Sequence, residues 1–159
     1  MVFVVLGTQK NQFTRMLTMV EELVISGEIK EPVVAQIGYT DFQTDRFKCF
    51  SMVNETEFQN YISEASVVIT HSGSGALFSA IKKGKKIIAV ARLKKYNEMV
   101  DDHQTELVKK LSEDGYILDG TLSLKDAWGK LNGFQPRQYD FCNTIVETIA
   151  NWIDEDLIK

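Results

Sequence analysis

Residues 67–77 read Val-Val-Ile-Thr-His-Ser-Gly-Ser-Gly-Ala-Leu, and this stretch decides the fold. An apolar run ends in a polar turn with two glycines, and apolar residues then recur at helical spacing, which is the pattern of a buried strand leading into a helix. The first backbone N–H groups of a helix have no partner within it and can bind an anion. Gly73 and Gly75 would let a ligand approach the backbone closely. The stretch also fits a plain strand-to-helix turn, because short motifs of this kind are common.

Strand and helix patterns alternate along the whole chain. Strand patterns are short apolar runs, and helix patterns place apolar residues three and four positions apart. Strands are predicted at 2–6, 32–38, within 47–53, 66–70, 86–91 and 116–118, and helices at 13–24, 54–65, 76–81, 104–111, 124–131 and 141–153. The alternation predicts an α/β fold with a parallel sheet, helices on both faces and right-handed crossovers. The length of 159 residues predicts a single domain over 1–159.

The composition is that of an ordinary globular protein, with 44% hydrophobic and 25% charged residues. A net charge of −4 and the lack of a basic stripe argue against a nucleic-acid-binding protein. The two cysteines are far apart, which fits neither a disulfide framework nor a zinc site, and no cluster of Asp, Glu and His predicts a metal site. The first residues enter a strand with no secretory leader, and no apolar run is long enough for a bilayer, so a cytoplasmic protein is expected.

Polar or glycine-containing segments follow four of the predicted strands. They are Gly7-Thr8-Gln9, Gly38, His71 to Gly75 and the loop 92–104. The carboxyl ends of parallel strands share one edge of the sheet, where ligands bind, so we expect these segments to meet there. Backbone N–H groups at 7–9 and 72–75, with the hydroxyls of Thr8, Ser72 and Ser74, would suit an anion. Ser74 also fits a simple helix cap, and His71 would either donate to a phosphate or hold the loop.

Three segments together resemble a known family. They are the opening strand with Gly7-Thr8-Gln9, the run 65–75 followed by 84–90, and the segment Asp101-Asp102-His103-Gln104-Thr105-Glu106-Leu107. In order and spacing they resemble the C-terminal, nucleotide-sugar-binding half of the GT-B glycosyltransferases of family 28. The chain most resembles stand-alone subunits of that family. Some belong to two-part N-acetylglucosaminyltransferases that act on dolichol-diphosphate sugars, and others to bacterial capsule and exopolysaccharide synthesis, several of them galactosyltransferases.

The resemblance implies a single Rossmann-like GT-B half that acts as the catalytic subunit of a two-chain enzyme. It implies transfer of a hexose from a UDP-sugar to a lipid-linked acceptor in polysaccharide or glycolipid synthesis, with no metal and no cofactor. A second, membrane-attached chain would bind the acceptor, which would place this chain in the cytoplasm, peripheral to the membrane. A catalytic base must reach the acceptor hydroxyl, so we expect the base on the partner and assign none here.

The same resemblance gives roles to individual residues. The backbone near Met52 and Val53 would meet the uracil, and the segments 7–9 and 71–75 would meet the diphosphate. His103 and Gln104 would face the sugar, where an amide both donates and accepts hydrogen bonds; they also fit a helical first turn capped by Asp102. One departure concerns the ribose. Related enzymes carry an acidic residue six positions after the motif glycine, and that position here is Ser79, which lacks the charge of a carboxylate.

Two other functions fit the same motifs. One is a non-catalytic nucleotide-sugar-binding subunit that regulates or scaffolds a transferase. The other is an unrelated flavodoxin-like module whose glycines hold a cofactor phosphate. A last expectation concerns the apolar stripe Phe141, Ile145, Ile149, Trp152 and Ile153, which either covers the sheet or docks the partner.

Overall fold

The computed structural model describes residues 1–138, and over this range the chain forms one sheet of six strands. The strands are β1 (Val2–Val5), β2 (Val33–Gln36), β3 (Lys48–Phe50), β4 (Val67–Thr70), β5 (Lys86–Ala89) and β6 (Leu118–Asp119). All of them pair in parallel, in the order β3-β2-β1-β4-β5-β6. The predicted α/β fold with a parallel sheet is confirmed. The predicted helix at 141–153, with its apolar stripe, and Cys142 lie outside the described residues.

The central strands are built from residues that favour burial on both sides. All four residues of β1 and all four of β4 are buried, as expected where helices cover both faces of a sheet. The last strand begins later than predicted, at Leu118 rather than at 116, because only Leu118 and Asp119 pair with β5. Tyr116 and Ile117 are buried without joining the ladder. These two residues are therefore apolar because they are buried in the core, and not because they belong to a strand.

Five helices and one short 3₁₀ turn, at Lys94–Tyr96, complete the described part of the chain. The helices are α1 (Thr14–Ile25), α2 (Glu55–Glu64), α3 (Ser74–Lys82), α4 (His103–Glu113) and α5 (Leu124–Lys130). Helices α1 and α5 bury residues such as Leu17 and Ala127 on one face of the sheet. Helices α2, α3 and α4 bury residues such as Ile62, Leu77 and Val108 on the other. The predicted covering of both faces is confirmed.

The strand order reverses direction next to β1. Val5 pairs with Gln36 of β2 on one side and with Thr70 of β4 on the other. The chain segments that leave β1 and β4 therefore turn to opposite faces of the sheet, which opens a crevice beyond their carboxyl ends. The turn that begins at Gly7 and the turn 71–73 border this crevice from neighbouring strands.

A buried arginine cluster, made of Arg15, Arg92, Glu98 and Phe13, lies at the same edge of the sheet. The side chain of Arg92 is fully buried and donates to the carbonyls of Leu6, Asn11 and Gln12 at 3.0, 2.9 and 3.4 Å. Its guanidinium also covers the ring of Phe13, 4.6 Å from the centroid. The sequence predicts that Arg92 opens a polar loop, but Arg92 is buried, because backbone carbonyls from a distant loop accept from both terminal nitrogens of its guanidinium. Its Nε is buried without a partner among residues 1–138.

The carboxylate of Glu98 supplies the negative charge of the cluster. It accepts two hydrogen bonds from the guanidinium of Arg15, at 2.9 and 2.8 Å, and one from the N–H of Leu93 at 2.9 Å. Its residue is only 4% exposed. The buried Arg92 and Glu98 and the partly buried Arg15 thus pack together, and they fasten the loops that follow β1 and β5 to each other.

Candidate functional site

A cleft of about 430 Å³ opens at the carboxyl ends of β1 and β4, where the strand order reverses. It is lined by Val5, Gly7, Thr8, Gln9, Gln36, Val53, Glu55, Phe58, His71, Gly73, Ser74, Gly75, Ala76 and Ser79. The lining combines backbone turns, small residues and a few polar groups, with Val53 and Phe58 as apolar walls. Clefts of this size and place commonly bind small molecules in α/β proteins.

The first turn of α3 points its free donors at this cleft. Helix α3 begins at Ser74, and its first helical hydrogen bond runs from the N–H of Leu77 to the carbonyl of Gly73, at 3.3 Å. The N–H groups of Ser74, Gly75 and Ala76 therefore have no partner within the helix. No side chain caps this helix end, so the structure does not support the alternative in which Ser74 is a simple helix cap. The arrangement suits an anion, because the free donors and the helix dipole act in the same direction.

His71 is buried beneath the turn 71–73 and is held by a hydrogen bond from Gly73. Its Nδ1 accepts a hydrogen bond from the N–H of Gly73 at 2.8 Å, and the residue is 6% exposed. Burial, reinforced by the positive charge of Arg92, lowers the pKa of His71 from its ordinary value of 6.5 to about 4. The ring is therefore neutral at pH 7, and with Nδ1 as acceptor its proton lies on Nε2. This contact holds the turn, which is one of the two roles that the sequence leaves open for His71; the phosphate contact stays a prediction.

Three glycines make room for the imidazole and for the adjoining turn. A Cβ atom at Gly73 would overlap Cε1 of His71, and one at Gly7 would overlap Nε2. A Cβ atom at Gly38 would overlap the carbonyl oxygen of Gly7. Gly7 and Gly38 also have positive φ angles of 77° and 59°, which favour glycine. The ends of β1, β2 and β4 are thus packed together through glycines around one histidine.

Ser79 lies in the cleft lining, one turn further along α3. Its Oγ accepts a hydrogen bond from Nε2 of Gln59 at 3.3 Å, and the same nitrogen donates to the carboxylate of Glu55 at 2.8 Å. A carboxylate is therefore present beside Ser79, although it comes from α2 and not from position 79. Glu55 is the acidic member of the cleft lining.

Comparison with known proteins assigns the chain to a family. The model of the glycosyltransferase family 28 C-terminal domain matches residues 1–128. The chain belongs to this family. The flavodoxin-like alternative is thereby set aside, and the family resemblance seen in the sequence is confirmed.

Similar proteins include subunits of a named transferase. The UDP-N-acetylglucosamine transferase subunit ALG13 of Cryptococcus neoformans is 28% identical over 78 residues, which are 49% of this chain and 37% of that protein. The subunit of the same name from Debaryomyces hansenii is 28% identical over 116 residues, 65% of this chain and 52% of that protein. The mouse protein of that name is 28% identical over 76 residues, and they make up only 6% of its length. The chain thus matches about half of the length of the Debaryomyces protein and a smaller share of the other two.

Solved structures share the fold of this family 28 domain. The NMR solution structure of ALG13 superposes with a TM-score of 0.56 at 16% identity, covering 86% of this chain and 87% of that chain. The glycotransferase of kitacinnamycin superposes with a TM-score of 0.55 at 19% identity, covering 82% of this chain and 34% of that chain. At these identities the likeness shows the fold alone, and the predicted Rossmann-like half of a GT-B enzyme is confirmed.

The cleft of the family 28 domain brings together most of the residues predicted to bind substrate. Gly7, Thr8, Gln9, Val53, His71, Gly73, Ser74 and Gly75 all line it. Ser72 lies just behind the lining: it is 4% exposed, and its Oγ has no hydrogen-bond partner among residues 1–138. Met52 is 41% exposed and precedes the cleft residue Val53 without lining the cleft itself.

His103 and Gln104 lie apart from the cleft, at the start of α4. Oε1 of Gln104 accepts a hydrogen bond from the backbone N–H of Arg92 at 3.1 Å, which ties α4 to the end of β5. The side chain of His103 is 63% exposed, near Asp101. The side chain of Asp102 does not cap α4, which was the alternative role for this turn; its Oδ1 accepts from the N–H of Lys94 instead. The sugar contact of His103 and Gln104 stays a prediction.

Sequence reasoning missed five residues that line the cleft: Val5, Gln36, Glu55, Phe58 and Ala76. Gln36 carried a signal, since a polar residue ends an otherwise apolar strand next to Gly38. Phe58 and Glu55 carried weaker signals. An apolar residue on the inner face of a helix, such as Phe58, is usually part of the core, and an acidic residue in the first turn, such as Glu55, usually interacts with the helix dipole. No helix within residues 1–138 has the length and apolar character required to cross a membrane.

Proposed function

We propose that this chain is the catalytic subunit of a two-chain glycosyltransferase and binds a UDP-sugar in the cleft. It would transfer the hexose to a lipid-linked acceptor in polysaccharide or glycolipid synthesis. One observation carries the proposal: the open first turn of α3, at residues 74–76, faces the crevice beside the turn at Gly7. Two sets of backbone donors then converge where a diphosphate would lie.

The chemistry of the leaving group supports this placement. Departure of a sugar leaves negative charge on the diphosphate, and fixed N–H dipoles stabilise such charge without reorganisation. Among the cleft-lining residues there is no lysine or arginine, so backbone N–H groups, hydroxyls and the Nε2–H of His71 would supply the donors. The neutral imidazole acts here as a hydrogen-bond donor and not as a cation. The donor complex would therefore form without a divalent metal ion.

The relatives support the choice of donor and the need for a partner. They carry the name UDP-N-acetylglucosamine transferase subunit, which favours UDP-N-acetylglucosamine as the first hexose donor to test. A subunit that holds only the donor needs a second chain to hold the acceptor. We place the acceptor-binding chain in the membrane, with the catalytic base on it, and this chain at the cytoplasmic surface through that partner.

Calorimetry with the 159-residue chain tests the donor site. UDP and UDP-N-acetylglucosamine should bind with the same affinity in chelator as in magnesium. UMP should bind more weakly, because it lacks the second phosphate of the diphosphate. UDP at 100 times its dissociation constant should stabilise the fold by about 2.7 kcal/mol. A strict requirement for a divalent ion, or equal affinity for UMP, would contradict the proposed diphosphate site.

A non-catalytic, regulatory subunit is the second candidate, and Ser79 favours it. Related enzymes carry an acidic residue at this position, and the weaker serine acceptor departs from that pattern. Both candidates predict donor binding. They differ in what happens when the two-chain complex is assembled with a variant of this chain that cannot bind UDP. If this chain is catalytic, that complex should not transfer sugar. If the complex still transfers sugar, this chain is the regulatory subunit.

A further inference from the structure

Gln36 ends β2 with its side chain on the floor of the cleft. It lies on the same face of the sheet as Val34, the face that α2 and α3 cover. The residue is 5% exposed and lines the cleft. Its Oε1 is buried and has no hydrogen-bond partner among residues 1–138. The carboxamide oxygen is thus a buried acceptor that residues 1–138 leave unpaired at the floor of the cleft.

An unpaired buried acceptor is costly to the folded protein. Leaving such a group without a partner destabilises the folded state, because the group loses its hydrogen bonds to water and gains none. Folding alone does not require a polar group here, since Val5 and Val34, its neighbours on this face, are apolar. A methionine would fill similar space without the penalty. Groups of this kind in native structures call for an explanation, and a ligand that completes the hydrogen bond is one.

The position of β2 in the sheet indicates which part of the ligand Gln36 would meet. On one side lies β1, followed by the turn at Gly7 that would hold the diphosphate. On the other lies β3, followed by Val53, which would meet the base. In a nucleoside diphosphate the ribose joins the diphosphate to the base. The strand between the two binding segments therefore ends beneath the ribose.

We propose that Gln36 is a specificity-determining residue whose side-chain oxygen accepts a hydrogen bond from a ribose hydroxyl of the nucleotide. The inference rests on the proposed function, because it takes the ligand to be a nucleoside diphosphate. The site needs such a contact, since Ser79 offers a weaker acceptor than a carboxylate. Glu55 lies at the rim of the same cleft, and its carboxylate is a charged acceptor for the second ribose hydroxyl.

The stability of the free protein and its affinity for the ligand should move in opposite directions on substitution. Gln36→Met removes the unpaired acceptor at nearly constant volume, so the melting temperature of the free chain should stay constant or rise. Its dissociation constant for UDP should rise about 3- to 10-fold, the usual effect of one lost hydrogen bond. Gln43→Met, at an exposed glutamine outside the cleft, is the matched control and should change neither quantity.

Ligands that lack one hydroxyl locate the contact. Wild type and Gln36→Met are each titrated with UDP, 2′-deoxy-UDP and 3′-deoxy-UDP. The effect of the substitution should vanish with one deoxy ligand and persist with the other. An equal effect on all three ligands would overturn the ribose assignment. A lower melting temperature with unchanged UDP affinity, in both Gln36→Met and Gln36→Leu, would show a structural residue and overturn the inference.

Failure of the proposed function would look different. A wild-type chain that binds no uridine nucleotide at all would overturn the donor site together with the ribose contact. A wild-type chain that binds UDP, with a Gln36→Met variant that binds it equally well, would overturn the role of Gln36 alone.

Discussion

The imidazole of His71 makes the stability of this domain depend on pH. In the unfolded chain a histidine takes up a proton as the pH falls below about 6.5, whereas burial holds the pKa of His71 in the folded protein at about 4. Between these values the unfolded state binds more protons, so the free energy of unfolding should fall as the pH falls from 6.5 to 4 and should level off below. The full effect of this shift is on the order of 3 kcal/mol.

Urea unfolding between pH 7 and pH 4.5 measures this effect. His71→Asn keeps an acceptor for the N–H of Gly73 but does not titrate, so its free energy of unfolding should fall less steeply over this range. His103→Asn, at an exposed side chain, is the matched control and should behave as the wild type does. Equal slopes for His71→Asn and the wild type would contradict a buried neutral imidazole.

Gly73 and Gly75 have different roles, although the sequence makes them look equivalent. The sequence predicts that Gly73 lets a ligand approach the backbone; in the structure its φ is −63°, and its missing side chain makes room for His71. A Cβ atom at Gly75 would meet no protein atom within 4 Å, and Gly75 lines the cleft. The sequence predicts a glycine-rich ligand turn, but it cannot show which glycine faces the ligand and which faces the protein.

The paired alanine substitutions should therefore have opposite effects. Gly75→Ala should raise the free energy of unfolding by about 0.5 kcal/mol, because alanine is the better helix former, and should weaken UDP binding by placing a methyl group among the free N–H donors. Gly73→Ala should lower the free energy of unfolding by about 1–3 kcal/mol, because it displaces the imidazole. Chemical denaturation and calorimetry measure both. Normal UDP affinity in Gly75→Ala would remove the first turn of α3 from the binding site.

At the scale of the elements, the sequence predicts the order and type of structure well because each element carries its own signal. The capped start of α2 is an example: the side chain of Asn54 accepts from the N–H of Glu57 at 2.9 Å, within three residues of sequence. Contacts between elements carry no such signal. Arg92 is buried by carbonyls from residues more than 80 positions away, and Gln104 is turned toward Arg92 by the docking of α4. Their burial depends on the assembled fold.

The buried arginine cluster should be sensitive to the loss of its one anion. Glu98→Gln leaves the guanidinium of Arg15 without its charged partner, and the expected loss in the free energy of unfolding is about 3 kcal/mol. Glu113→Gln is the matched control, since Glu113 faces Lys109 at 4.0 Å on the surface and is 59% exposed; its effect should lie below about 1 kcal/mol. Similar losses in the two variants, measured by urea unfolding, would show that the cluster contributes no more than a surface ion pair.

At the scale of the whole molecule, the proposed function places the donor in this cleft and the acceptor on another chain. The full chain should bind UDP alone but should transfer sugar to a lipid-linked acceptor only when membranes that supply the partner are added. Trp152→Ala tests the apolar stripe predicted at 141–153, and should weaken association with those membranes while UDP affinity stays unchanged. Asn151→Ala is the matched control. Transfer by the purified chain alone would show that it needs no partner.

Arg92 fastens the loop after β1, and this contact also limits how the cleft could be redesigned. The carbonyls of Leu6, Asn11 and Gln12 must stay where the guanidinium meets them, so an insertion between residues 7 and 12 would expose buried charge rather than enlarge the cleft. The apolar side chains that line the cleft, Val53 and Phe58, belong to other segments, so changing them does not alter the loop that Arg92 holds. An engineer who wants a new donor nucleotide should therefore vary these walls and keep the loop length unchanged.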